Sequence, residues 1–305
     1  MEKFSQSGPS CVIGWNTRGK LENVSDVTFE DAYKHIHLNV PVPEVCIPKQ
    51  FPVKIPFTKK QQLQLMDCYP SQPGIFAGVI GAAKMNVDLT NIDFILGGSA
   101  MCMLASEHIN RSERFISERT NWGAIHIQKR KRYMQNWMQT GFVFERVMTG
   151  RDANGHHSGI STESVHVCKI GKFNVLFVAE CDACMDDKLV EFKSGDSALK
   201  NISKTVLQML SSNSSVLIVG GIEKKNQLQI TSTNTFSLEK LIEENKEKLD
   251  ENMNCILKNL EILHEMQGCK EIRFNDGLTL NESDECIIPD HSILQRIHDS
   301  INAHA

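Results

Sequence analysis

Phe173-Asn174-Val175-Leu176-Phe177-Val178-Ala179-Glu180-Cys181-Asp182 is an apolar strand that ends in acid, and Leu189-Val190-Glu191-Phe192-Lys193 follows, with eight residues between Asp182 and Glu191. The first run is rich in the aromatic and β-branched residues that favour strands. Successive strand side chains point to opposite faces, so Glu180 and Asp182 are expected on one face with Cys181 on the other. The same alternation places Glu191 and Lys193 together and turns Phe192 toward a core. A hairpin-like return between the two segments would gather three carboxylates and one ammonium at one place.

Working outward, Val165-His166-Val167-Cys168 is a second strand, joined to the first by a turn at Gly171-Lys172. Residues 199–210 read as a helix, followed by strands Val216-Leu217-Ile218-Val219 and Leu228-Gln229-Ile230-Thr231 in a hairpin. Ser237 is a good N-cap for one long helix, with Leu241, Leu249, Met253, Ile256, Leu257, Leu260 and Leu263 on its apolar face and Gly268 at its end. Upstream, residues 87–96 suggest a strand, and Gly97-Gly98-Ser99 leads into a helix at Ala100-Met101-Cys102-Met103-Leu104. Ala124-Ile125-His126-Ile127 alternates as a strand. The run from Lys129-Arg130-Lys131-Arg132 to Met138 reads as a basic helix that Gly141 would end. The first ~60 residues, with Pro41, Pro43, Pro52 and Pro56, read as an extended wrapping segment. No internal repeat or clear linker divides the chain, so the expectation is a single α+β domain over residues 1–305, with mixed β-sheets flanked by helices.

Composition narrows the function classes. With 305 residues and 41% hydrophobic content, the chain can bury a full core. The first ten residues lack the apolar stretch of a secretory signal, and no later run reaches membrane-spanning length. Ten irregularly spaced cysteines fit reduced thiols, hence the cytoplasm or nucleus. A formal charge of −4 argues against a general polyanion binder, so any nucleic-acid contact is expected to be local.

The acid cluster carries the chemistry. Two unit charges about 4 Å apart repel by ~4 kcal/mol at an effective dielectric near 20. A divalent cation removes that conflict, and oxygen ligands suit Mg²⁺ or Mn²⁺, used as a pair in many phosphodiester hydrolases. The plainer reading of Glu-x-Lys is a surface ion pair at a strand end, but here it follows a strongly apolar strand. Cys181-Asp182-Ala183-Cys184 lacks a second CxxC or paired histidines at zinc spacing, and His156-His157 reads as a polar surface pair. Neither a phosphate loop ending in Gly-Lys-Ser/Thr nor a Gly-x-Ser-x-Gly elbow occurs.

Asp182, eight residues, then Glu191-x-Lys193 resembles the PD-(D/E)xK nuclease superfamily. With Gly141-Phe142-Val143-Phe144-Glu145 upstream and Gln208 twelve residues before Gly220, the ordered motifs from about Asp93 to Thr235 resemble the DXO decapping exoribonuclease family. The resemblance implies Glu145, Asp182 and Glu191 as ligands of Mg²⁺ or Mn²⁺, two ions in all. The Phe192 carbonyl would be a further ligand, and Glu180 would bind directly or through water. Catalysis would fall to Glu180, Asp182, Glu191 and Lys193, with Glu145, Lys193 and Gln208 meeting substrate. It also implies hydrolysis at an RNA 5′ end by a monomer, removal of incomplete or NAD-type caps, 5′→3′ exoribonuclease activity, and a protein partner such as a 5′→3′ exoribonuclease. One departure stands out: Gly97 occupies the place of a family arginine that contacts phosphate. Loss of such a charge-assisted bond is worth ~1.5–3 kcal/mol. Lys129-Arg130-Lys131-Arg132 could supply replacement contacts, or simply be a solvated face. The alternatives are a weak or inactive paralogue that binds RNA 5′ ends or a protein, and a DNA endonuclease of the wider superfamily.

Overall fold

The computed structural model describes residues 3–16, 36–54, 75–106, 113–130, 139–151, 160–195, 197–223, 229–274, 277–288 and 291–302. Its strands are β1 (Phe4–Asn16), β2 (Ile36–Leu38), β3 (Val53–Lys54), β4 (Phe94–Leu96), β5 (Arg114–Arg119), β6 (Ile125–Arg130) and β7 (Ile160–Ile170) in the first half. They continue as β8 (Phe173–Glu180), β9 (Ala183–Met185), β10 (Lys188–Ser194), β11 (Val216–Glu223), β12 (Gln229–Ser237), β13 (Cys269–Phe274) and β14 (Leu278–Glu282). The helices are α1 (Ile75–Lys84), α2 (Gly98–Leu104), α3 (Gln139–Met148), α4 (Ser197–Lys200), α5 (Ile202–Ser212), α6 (Leu238–Glu244), α7 (Lys246–His264) and α8 (His291–Asn302). None of the described helices is long and apolar enough to cross a membrane.

The described strands form two mixed sheets, as expected for an α+β chain. The larger runs β14-β13-β5-β6-β4-β8-β7-β1-β2, and the smaller runs β3-β12-β11-β10-β9. At the centre of the larger sheet β4 lies parallel to both β6 and β8, while its flanks are antiparallel. Both faces of that centre are covered. Phe173, Val175 and Phe177 of β8 join Met101, Val206, Leu207, Met253 and Leu260 from α2, α5 and α7. Leu176 faces the opposite cluster with Ile13, Val79, Ile80 and Ile297. Burial on both sides explains why β8 is an almost continuous apolar run.

The smaller sheet obeys the same period. Val190 and Phe192 of β10, with Val216 and Ile218 of β11, pack on Val143, Phe144 and Met148 of α3. Leu217 and Val219 face the other way, into the core shared with the larger sheet. Asp186 and Asp187, at φ 51° and 60°, make the two-residue turn that folds β9 back on β10, supplying the expected return.

Several expectations are corrected. Lys129 and Arg130 end strand β6 instead of starting a helix, because β6 pairs along its length with β5; Lys131 and Arg132 lie outside the described residues. Gly141 sits inside α3 and does not end a helix. The helix begun at Ser237, whose hydroxyl does accept the Lys240 N–H at 3.3 Å, breaks at Asn245 into α6 and α7. Of the N-terminal segment, Phe4–Asn16 pairs with β7 and β2 as a full strand, so this part is woven into the sheet. Residues 17–35 and 55–74 lie outside the described residues.

Candidate active site

The carboxyl ends of the three parallel strands β4, β6 and β8 open on a cavity of about 380 Å³. Ile95 to Gly97, His126 to Lys129 and Val178 to Glu180 line it, which is where ligands sit in sheets with parallel strands. From β10 come Glu191 and Lys193, because Val190 and Phe192 are committed to the opposite, apolar face. Glu145 arrives from α3, Gln208 and Ser212 from α5, and Asp182 from the link between β8 and β9. Strand β8 ends at Glu180, so the loop, and not strand alternation, brings Asp182 to the same cavity.

Two contacts anchor α3. Phe144 meets Phe192 edge-on at 5.7 Å between ring centroids. It also lies over Gly220, where even a Cβ would come within 2.1 Å of its ring. Helix α3 therefore approaches the sheet at a point only glycine leaves open, and Glu145, the next residue, faces the cavity.

Asp182 Oδ2 accepts the backbone N–H of Phe192 at 2.8 Å. The N–H and C=O of one strand residue point to the same edge, so the Phe192 carbonyl is also directed toward Asp182, beyond the end of β9. Glu191 Oε1 accepts from the Lys193 ammonium, and its Oε2 accepts from Ser212 Oγ at 3.4 Å. Ser212 in turn touches Ser214 at 2.9 Å.

The electrostatics are strongly acidic. Burial, then repulsion from Glu180 and Glu191, pushes the Glu145 carboxyl up to about 8. Asp182 is held well above the usual carboxylate range by burial and by Glu191 and Glu145. Burial opposes the Lys193 charge, but Glu191 and Asp182 outweigh it and keep the ammonium protonated. Five carboxylates, Glu145, Glu163, Glu180, Asp182 and Glu191, share the cavity with two lysines, and one of these, Lys129, is paired with Glu113. Such a donor set fits a divalent cation, which would remove the repulsion that burial intensifies. No three of these carboxylates bring their oxygens within 4.8 Å of one another.

Six of the seven expected site residues, Glu145, Glu180, Asp182, Glu191, Lys193 and Gln208, line this cavity; Phe192 places its ring in the core behind it. Lys129 lines it too, alone of the basic run among the described residues, and His156-His157 lies outside them. Gly97 lines the cavity as the N-cap of α2, and a Cβ there would stand 3.2 Å from the Val178 carbonyl. Sequence reading missed Glu163, His126, Gln128 and Ser212. Glu163 pairs in register with Glu180 across β7 and β8, is 7% exposed, and has a buried Oε2 with no hydrogen-bond partner. Burial and then Glu180 push it up to about 8. Glu163 lies among Ser161, Thr162 and Ser164, ahead of the apolar Val165–Cys168 run, and carries no local signal of its own.

No protein-family model and no curated protein sequence matches the chain. Among solved structures, the two-sheet arrangement is that of the Rai1 and Dxo1 proteins, so the likeness read from the DXO motifs extends to the whole fold. Candida albicans Rai1, in complex with pU5-Mn²⁺, is 12% identical with a TM-score of 0.61, over 98% of this chain and 97% of that one. Scheffersomyces stipitis Rai1, in complex with (3′-NADP)⁺ and a calcium ion, is 11% identical with a TM-score of 0.62, over 97% of each chain. K. lactis Dxo1, in complex with manganese, is 10% identical with a TM-score of 0.55, over 94% of this chain and 91% of that one.

Proposed function

We propose that the chain is a divalent-metal-dependent hydrolase of RNA 5′ ends that removes incomplete or NAD-type caps, with 5′→3′ exoribonuclease action as a second activity of the same site. The observation that carries this reading is the convergence of Glu145, Glu180, Asp182, Glu191 and Lys193, drawn from three separate stretches of chain, on one cavity. Support comes from the fold shared with Rai1 and Dxo1, some of whose structures hold nucleotide ligands and divalent ions.

In this reading Glu145, Asp182, Glu191 and the Phe192 carbonyl hold Mg²⁺ or Mn²⁺, one ion or two, with Glu180 binding directly or through water. The metal supplies a bound water of lowered pKa and neutralises phosphate charge. Asp182 is fixed by its bond to Phe192, so two donors are positioned together. Lys193 keeps its proton and offers a cation to a scissile phosphate, while Gln208 on α5 orients the substrate. A protein partner such as a 5′→3′ exoribonuclease would consume the monophosphate end that decapping leaves.

The test is release of NAD, GpppN or nucleoside monophosphates from defined RNAs with Mg²⁺ or Mn²⁺, comparing the chain with its Glu180→Ala/Asp182→Ala variant. Metal-dependent release lost in the variant is expected. Tight RNA binding without turnover would instead favour a non-catalytic binder. Gly97 motivates that second reading, since no side chain there can meet phosphate and the Val178 carbonyl crowds any replacement.

A further inference from the structure

A second cluster of ligating side chains lies apart from the cavity residues. Glu118 of β5, Cys269 at the start of β13 and Cys286 in the link between β14 and α8 bring one oxygen and two sulfurs within 4.8 Å of one another, alone among the described residues in doing so. Glu118 and Cys269 are register partners on adjacent strands, and Glu118 is 4% exposed. His291, the first residue of α8, places Nε2 2.8 Å from Glu118 Oε1, and its Nδ1 is buried without a hydrogen-bond partner.

We propose that Glu118, Cys269, Cys286 and His291 form a structural zinc site that clamps residues 283–288 and the start of α8 onto strands β5 and β13 of the larger sheet. Two thiols, an imidazole and a carboxylate are the donors that zinc takes in closed tetrahedral sites. With zinc bonds of about 2.0–2.3 Å, neighbouring ligand atoms stand roughly 3.3–3.8 Å apart, so small side-chain rotations close the set of Glu118, Cys269 and Cys286. His291 touches Glu118 but stands outside that set, and must turn toward the sulfurs to complete it. Thiolates also select zinc over the hard cations that suit the all-oxygen cavity. The link is already held in place for this. Glu118 Oε2 accepts the N–H groups of Ile287 and Ile288 at 2.6 and 2.8 Å, and Cys269 Sγ donates to the Glu285 carbonyl at 3.1 Å. Those bonds hold Glu285, Ile287 and Ile288, and so bring Cys286, which lies between them, up to the same carboxylate. The Cys286 sulfur then turns inward, within 4.8 Å of both the Glu118 oxygen and the Cys269 sulfur.

The spacing Cys269, Cys286, His291 is not a short zinc signature, because Glu118 comes from a strand about 150 residues earlier. The experiment is zinc content by mass spectrometry of the full chain, purified under reducing conditions, with affinity measured against a chromophoric chelator. About one zinc per chain is expected. It should persist in Glu180→Ala/Asp182→Ala, which disables only the cavity, and vanish in Cys286→Ser. Cys286 is exposed, so that substitution leaves the apolar core intact. His291→Ala should weaken zinc binding at least ~10–100-fold. Zinc-free chains with both thiols open to alkylation would overturn the site. So would zinc unchanged in Cys286→Ser, or a mass short by two hydrogens that marks a Cys269–Cys286 disulfide.

Discussion

Asp182 Oδ2 and the backbone N–H of Phe192 are joined by a 2.8 Å hydrogen bond, which ties the loop after β8 to the open edge of β10. The bond holds a half-buried carboxylate beside Glu191 and Glu145, where charge alone would push it away.

Asp182→Asn therefore separates stability from activity. The amide keeps an acceptor for Phe192 and removes one repelling charge, so the metal-free thermal midpoint should stay level or rise. Stabilisation by Mn²⁺ and turnover should both collapse. Thermal scans with and without Mn²⁺, beside the decapping assay, check this, and a lower metal-free midpoint would refute it.

Acidity follows from Glu145 and Glu163. Their carboxyls titrate near 8 in the folded chain against about 4.3 when unfolded, so between those values the folded state binds more protons. Their contribution to stability is full below about pH 4.3 and is lost as pH rises through about 8. Denaturant unfolding of the metal-free chain should show that decline, and Glu163→Gln should flatten it. Mn²⁺ should reduce the decline as well.

Lys193 shares Glu191 with any cation that enters the cavity. Lys193→Ala removes a competing positive charge, so Mn²⁺ should bind more tightly while hydrolysis falls by roughly 10²-fold or more. Calorimetric titration and single-turnover rates measure the two effects, and weakened Mn²⁺ binding would contradict the assignment.

Gly220 is the point of closest approach of α3. Gly220→Ala puts a methyl against Phe144 and should cost about 1–3 kcal/mol. Because Glu145 adjoins Phe144, activity should fall well beyond what the loss of folded protein explains. Phe144→Leu/Gly220→Ala, which relieves the clash, should recover part of both.

Much of the site was legible because its central pieces are local. The alternation in Phe173–Glu180 and Lys188–Ser194 places each acid on a face, and only the short Asp186-Asp187 turn separates β9 from β10. Elsewhere local signals misled. Lys129 and Arg130 favour helix by composition, yet the ladder with β5 makes them strand. The apolar spacing from Leu241 to Leu263 continues across Asn245, where the helix nevertheless breaks.

By itself, the sequence determined the strands on either side of Asp182, the identity of the acids and lysine they carry, and the mixed α+β class, because strand and helix periods are written in neighbouring residues. Only the tertiary structure decided that Glu163 stands opposite Glu180, that Phe144 seats on Gly220, and that Glu118 meets Cys269, Cys286 and His291. Those meetings depend on sheet register and on packing between distant segments, which no local period encodes.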